Sequence, residues 1–205
     1  ITLTRRPTGG GAIYHDAFGD ISYSIVVPAD AVPGDLLDCY ELLCAPILAA
    51  LAAMGVDADF ADEERPAVYQ PACYLRALHP AHDVVGPDGR KVSGNAQYRQ
   101  RDAVVQHGSL TFATNPERHC DCFAGDPEPD AFADRVGGIE AYTDRTRADA
   151  VATLRRTLRE WIESDLDGAV QTTAWSDQFL SRARERATEK YETDAWTRER
   201  TDPTD

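Results

Sequence analysis

The chain has 205 residues, 42% of them apolar and 27% charged, enough for one domain with its own core and too apolar for a disordered segment. It carries 35 Asp and Glu against 21 Lys and Arg, a formal net charge of −14, which disfavours nucleic acid or an anionic membrane surface as its main partner. No run approaches about eighteen consecutive apolar residues and no basic stretch leads into an apolar one, so neither a membrane span nor a secretory leader is predicted and a cytoplasmic protein is expected.

Asp outnumbers Glu 23 to 12, and Lys91 and Lys190 are the only lysines beside nineteen arginines. An Asp-rich, Lys-poor surface suits a salt-rich cytosol, where ions screen its self-repulsion. The five cysteines, Cys39, Cys44, Cys73, Cys120 and Cys122, are odd in number and form no regular framework, as expected of reduced thiols. The first residue is Ile, which reads as a start inside a longer product or as trimming.

In chain order, Ile1 to Arg6 and Ala12 to Tyr14 predict two short strands either side of PTGGG. Asp20 to Val27 alternates Ile21, Tyr23 and Ile25 with Ser22, Ser24 and Val26, a strand with one face more apolar. Leu36, Tyr40, Leu43, Ile47 and Leu51 fall on one helical stripe that Gly55 ends and Pro46 should kink. Gly86-Pro87-Asp88-Gly89 predicts a hairpin turn, followed by strands through Lys91 to Phe112. Residues 115 to 130 are turn-rich. Thr146 with Asp149 predicts a capping box for a helix carrying Leu154, Leu158 and Trp161, and Ser176 caps a last helix. Lys190 reads as an ordinary position on it, and the segment after Trp196 as a loose polar tail. Strands first and helices late predict an α+β domain.

Three segments can carry chemistry. Arg5-Arg6-Pro7-Thr8-Gly9-Gly10-Gly11-Ala12-Ile13-Tyr14-His15-Asp16 places paired arginines before three glycines, whose backbone can approach an anion closely. It is neither a Walker loop nor a dinucleotide fingerprint, because the G-K-S/T ending and the following helix are missing. Arg90-Lys91-Val92-Ser93-Gly94-Asn95-Ala96-Gln97 keeps a lysine where the chain otherwise uses arginine, as a compact ammonium at a reacting centre would require. Gln106-His107-Gly108-Ser109-Leu110 offers His107 as a base, a hydrogen-bond partner or, more in keeping with its spacing, a core residue. The His119-Cys120-Asp121-Cys122 run lacks a second pair at zinc spacing and is not read as a metal site.

These segments, in this order, resemble the lipoate–protein ligase family, which carries R-R-x-S/T-G-G-G-A-V/I-Y/F-H-D, then G-R/K-K-I/V-S/A-G-x-A-Q, then H-G-S/T-L. The chain reads RRPTGGGAIYHD, GRKVSGNAQ and HGSLTF. The resemblance implies a mixed β-sheet flanked by helices, shared with biotin ligases, over residues 1–198, with 199–205 as a tail. It implies activation of lipoate by ATP with Mg²⁺ to lipoyl-AMP, then transfer to a lysine of a lipoyl carrier domain, in 2-oxoacid dehydrogenase complexes or the glycine-cleavage H protein. By motif position Arg6, Gly9, Gly10, Gly11, Ala12, Ile13 and Tyr14 match the nucleotide- and acyl-contacting residues, and Lys91 the lysine on the acyl carbonyl and the phosphate. His15, Asp16, Ser93, Gly94, Ala96 and His107 are further candidates, and no Mg²⁺ ligand can be picked out.

Two departures bear on this expectation. The strands and helix that precede RRPTGGG in the family are not present, and neither is the accessory domain of long ligases, which implies a separate accessory subunit or a relative that needs none. The related octanoyltransferases are that relative: they pass an octanoyl group from acyl carrier protein through a cysteine thioester, without ATP. Cys73 lies roughly where they keep the nucleophile. Gly11, where that group tends to have Arg, favours the ligase, and an ordinary buried thiol is the plainer reading of Cys73. A third reading is a paralogue that binds without turnover, against which stand Arg6, Gly11 and Lys91.

The charge pattern makes one prediction. Melting temperature and activity should rise as KCl approaches the molar range, because screening relieves repulsion among the surplus acids. A melting temperature that is flat or falls from low to molar KCl overturns the salt-adapted reading.

Overall fold

The computed structural model describes residues 1–7, 9–166 and 168–204. Thr8 of the first motif lies outside the described residues. The chain divides into two compact units, Gly10–Ala169 and a smaller one made of Ile1–Gly9 with Val170–Asp205.

The larger unit is built on a five-stranded sheet. Its strands are β1 (Asp20–Pro28), β2 (Asp59–Phe60), β3 (Asp83–Val85), β4 (Lys91–Arg99) and β5 (Ala103–Thr111), in the order β1-β5-β4-β3-β2. The named strands pair antiparallel, and parallel pairing enters through the isolated bridges Ala12↔Ala72 and Lys91↔Val136. The alternation read in β1 sets its register: Ile21, Tyr23, Ile25 and Val27 are buried on one face, opposite Leu110, Gly108, Gln106 and Val104 of β5.

Two helices, α1 (Leu36–Ala53) and α4 (Arg147–Asp165), pack against each other and share the main core with that face. Asp35 starts α1 by accepting from the Leu37 and Asp38 N–H groups at 2.8 and 3.2 Å, and Gly55 follows its end with φ 83°. The helix runs through Pro46, which is buried in it. By length and composition α1 could cross a bilayer, but Leu43, Ile47, Ala50 and Leu51 are fully buried as the sheet's own core, and Asp38 and Glu41 interrupt it. The Thr146–Asp149 capping box opens α4 as expected.

The opposite sheet face carries a second, smaller core. Ala72, Tyr74 and Leu75 pack there with Cys120, Phe123, Phe132 and Val136. The turn-rich stretch supplies its outer wall through two short helices, α2 (Pro116–Cys120) and α3 (Pro129–Arg135), each opened by a proline in its first turn.

Neither N-terminal strand forms. Ala12 reaches only a single bridge to Ala72, because the glycine segment docks on the 71–73 turn instead of a sheet edge. Ile1–Arg6 is irregular and belongs to the smaller unit, where Thr4 Oγ1 donates to Tyr191 O at 2.7 Å and Arg5 Nε to Trp196 O at 2.8 Å.

That unit also holds α5 (Asp177–Arg186), capped by Ser176 as predicted, a π-turn over Ala187–Tyr191, and α6 (Asp194–Thr197). Trp196 is its anchor. The Arg5 guanidinium lies 3.9 Å from the indole centroid and Lys190 Nζ 4.3 Å, and the indole N–H donates to Arg5 O at 2.7 Å. Lys190 is only 8% exposed and pairs with Asp202, whose carboxyl it holds down at about 2. The expectation of an ordinary Lys190 and a loose tail is therefore corrected: helix periodicity does not show that the chain turns back over Trp196.

Lys190→Ala should lower the melting temperature by about 2–4 °C, the equivalent of about 1 kcal/mol of lost cation–π contact. It should also open residues 187–204 to limited proteolysis. Unchanged melting together with unchanged protection overturns the anchoring role.

Candidate active site

The β3–β4 hairpin aims the lysine. Gly89 N–H donates to Gly86 O at 2.9 Å and Gly86 N–H to Arg90 O at 2.8 Å, closing the predicted turn. Val84 pairs with Ser93 but Val85 pairs with Lys91, so one residue of β4 is left over. Such a bulge breaks strict alternation and redirects a side chain. Lys91 thereby shares a face with Gly94, not with Ser93. A Cβ on Gly94 would stand 3.0 Å from Lys91 Cε and 3.1 Å from Nζ, so the glycine of the G-R-K-V-S-G run is the floor on which the lysine lies.

Lys91 is 7% exposed, and its Nζ is 2.7 Å from Oδ1 of Asp83, itself 2% exposed. Asp83 also accepts the His79 N–H at 2.9 Å and has His82 Nδ1 at 3.5 Å. Burial works to raise the Asp83 pKa, but His82, Lys91 and the His79 amide outweigh it and hold the carboxyl at about 2. Lys91 Nζ also lies 5.8 Å from the centroid of the Tyr74 ring.

The glycine segment meets the turn that carries Cys73. Ala12 N–H donates to Pro71 O at 2.7 Å, and Cys73 N–H donates to Ala12 O at 2.7 Å. A Cβ on Gly11 would stand 2.7 Å from Pro71 O and 2.9 Å from Cys73 N, so this position must be glycine for the segments to dock. Gly10 has φ 109°, a backbone that other residues rarely adopt. Cys73 is a free, half-buried thiol at the start of a short 3₁₀ turn, Cys73–Leu75, rather than the fully buried one expected.

Beneath it Tyr74 is buried, with its hydroxyl donating to Ser109 Oγ at 3.2 Å and Asp20 Oδ1 at 3.4 Å. Burial, with the Asp20 charge, pushes the Tyr74 pKa well up, so it stays a neutral donor. A cavity of about 20 Å³, room for one water, opens beside it between Tyr14, Asp20, Thr111, His119 and Phe132. His119 is buried with its Nε2 unpartnered, its ring centroid 4.3 Å from that of Phe132, and burial lowers its pKa to about 4. It is a neutral imidazole of the second core.

The remaining candidates divide by place. Ile13 packs against the second core and Tyr14 lines the cavity. Asp16 closes a turn by accepting the Phe18 and Gly19 N–H groups at 2.9 and 3.0 Å, and His15 Nδ1 lies 3.0 Å from Asp20 Oδ2. The amides of Phe18 and Gly19, with Arg118, hold the Asp16 carboxyl below its ordinary value. The His-Asp pair of the motif thus shapes the approach to β1. Ser93 is buried opposite Leu110 and Val84, on the main-core face. Ala96 and His107 are exposed partners in the sheet, and His107 Nδ1 lies 2.9 Å from Ser24 Oγ, so the core reading of His107 is corrected. Period-two alternation puts it on the face of β5 opposite the buried Gln106 and Gly108. Arg6, whose Nη2 donates to Gly9 O at 2.7 Å, and Gly9 belong to the smaller unit.

Asp83 and Tyr74 were not singled out from the sequence. The one available signal for Asp83 was an acid opening an apolar strand, Asp83-Val84-Val85, directly before the lysine hairpin.

The chain belongs to the lipoyl protein ligase A/B catalytic domain family, whose model matches residues 1–159. It is 29% identical over 215 residues to octanoyltransferase LipM of Exiguobacterium sp., covering 96% of this chain and 73% of that protein. It is 27% identical over 207 residues to LipM of Bacillus subtilis, covering 95% and 73%. Among solved structures, the bipartite lipoate protein ligase of Thermoplasma acidophilum superposes with a TM-score of 0.72 at 22% identity, over 96% of this chain and 70% of that one. Lipoate-protein ligase A bound with ATP gives a TM-score of 0.72 at 23%, over 96% and 72%. These structures share the fold.

The expectation of an ATP-dependent lipoate ligase is overturned, since the similar curated proteins are octanoyltransferases. Gly11, which favoured the ligase in the sequence, is in the structure the point where the glycine segment docks on Pro71 and Cys73.

Lys91→Ala should slow acyl transfer by about 10²–10³, the usual cost of one lost charged donor, and should also lower the melting temperature because Asp83 is left buried without its partner. Lys91→Arg should be nearly as slow, because the larger guanidinium cannot lie on Gly94. An Arg variant with parental single-turnover rates overturns the argument for a compact ammonium.

Proposed function

We propose that this chain is an octanoyltransferase that carries its acyl group as a thioester on Cys73. The observation that carries the proposal is the placement of Cys73: its amide is bonded to Ala12 of the glycine motif, its thiol is free and half-buried, and the next residue, Tyr74, lies beside the Lys91 ammonium. The similarity to octanoyltransferases over nearly the whole chain supports the same reading.

In the first step the Cys73 thiolate attacks the carbonyl of an octanoyl thioester on a carrier protein. The carrier's C–S bond breaks, its thiolate takes up a proton, and a new thioester forms on Cys73. In the second step a lysine amine of a lipoyl carrier domain attacks that thioester. An amide forms, Cys73 leaves as thiolate, and the amine's proton passes to solvent. The fixed charge of Lys91 serves the carbonyl oxygen as it becomes an oxyanion in both steps. A thioester donor already stores the energy of acylation, so the route uses neither ATP nor Mg²⁺. The acceptors fitting this chemistry are lipoyl domains of 2-oxoacid dehydrogenase complexes or the glycine-cleavage H protein.

Incubation with octanoyl-acyl carrier protein should add one octanoyl mass to the chain, removable by hydroxylamine and mapping to Cys73. Cys73→Ser should abolish that adduct and lower transfer to a lipoyl domain by at least about 10³. Transfer by the Ser variant within a few-fold of the parent overturns the thioester route.

A further inference from the structure

We propose that Asp83 is a positioning residue for acyl transfer, holding Lys91 charged and on its Gly94 floor so that the ammonium faces the acyl carbonyl. This rests on the thioester reading of the site. The hydrogen bond of Asp83 to the His79 amide and its ion pair with Lys91 keep it away from the reacting atoms, and it acts through Lys91. Two contacts fix its carboxylate before any substrate arrives, the His79 amide on Oδ2 and Lys91 on Oδ1, with His82 Nδ1 3.5 Å from Oδ1. Its own pKa of about 2 makes it too weak a base to take a proton from the thiol or the acceptor amine. Its chemistry is therefore electrostatic.

Among the described residues, Asp83 is the carboxylate that pairs with Lys91. The charged and titratable groups packed about the pair are Tyr74 from the 3₁₀ turn, with Cys73 beside it, and His79 and His82 from the loop before β3. Arg135 from α3 and Tyr40 from α1 both sense the Asp83 charge. None of these supplies a second carboxylate to Lys91. A buried ammonium stripped of its counter-ion gives up its proton, and a neutral amine no longer stabilises an oxyanion. The bulge supports the same role: it places Lys91 on the face where Asp83 waits opposite Gly94 in the pairing of β3 with β4.

The scarcity of lysine makes the test direct. In protein labelled with ¹³C-lysine, Lys91 and Lys190 give the only two side-chain signals, and Lys91→Arg assigns them. Asp83→Asn should lower the Lys91 titration midpoint by at least about one pH unit, the effect of an opposite charge at contact distance, while Lys190 stays in place. Single-turnover acylation of Cys73 by octanoyl-pantetheine should slow by at least tenfold, because the ammonium is no longer held toward the acyl carbonyl. Asp83→Glu, which keeps the charge but displaces it, should leave the titration near that of the parent and recover part of the rate. An unmoved Lys91 midpoint in Asp83→Asn overturns the proposal, as does an unchanged acylation rate. If Asp83→Asn does not fold, Asp83→Glu decides: parental acylation by it shows that the position of the carboxylate is immaterial. Failure of the parent itself to acylate Cys73 would remove the thioester reading, and the lysine titration would still decide whether Asp83 holds Lys91 charged.

Discussion

The ion pair between Lys91 and Asp83 is the constraint on which the site depends. Both side chains are taken out of water, and neither would be tolerated there alone. Their contact at 2.7 Å requires a bulge to turn Lys91 over, a glycine to make room for it, and a strand opened by an acid at the matching register. A change in any one of these leaves a buried charge unpaired. The G-R-K-V-S-G run is in this sense a folding instruction as much as a ligand motif.

The glycine motif answers a different demand. It does not form the strand that its flanks suggest, but lies against the turn carrying Cys73, with backbone bonds in both directions between Ala12 and residues 71 and 73. The docking is close enough to exclude any side chain at Gly11. Two segments some sixty residues apart in the chain, Gly11-Ala12 and Pro71–Cys73, are held as one piece, so the position of the thiol is set by the motif and not by a loop free to move. Tyr74 extends the link, since the residue after the thiol lies over Lys91 Nζ on one side and bonds Ser109 and Asp20 on the other.

Much of the fold was legible in local pattern. The alternation of β1, the Gly-Pro-Asp-Gly turn, the Thr146–Asp149 box and the Ser176 cap are short-range devices, and each stands where its pattern put it. The patterns failed where long-range contacts decide. Ile1–Arg6 has a strand's composition, but its polar groups are spent on Tyr191 and Trp196 at the far end of the chain. Lys190 has an ordinary helical position and is nonetheless buried, because the following residues return over Trp196. His107 lies in a strand of mostly buried residues, yet alternation in β5 leaves it exposed.

By itself the sequence determined the family and the α+β class and singled out Lys91 as a candidate, because motif residues and turn chemistry are local properties that spacing preserves. It did not determine which acyl chemistry the motifs serve. Gly11 reads as a sign of the ligase in one dimension, and only the folded chain shows it as clearance for Pro71 and Cys73. Asp83 was invisible for the same reason. An acid eight positions before a lysine has no meaning until a hairpin brings them face to face and burial takes away the water that would otherwise part them.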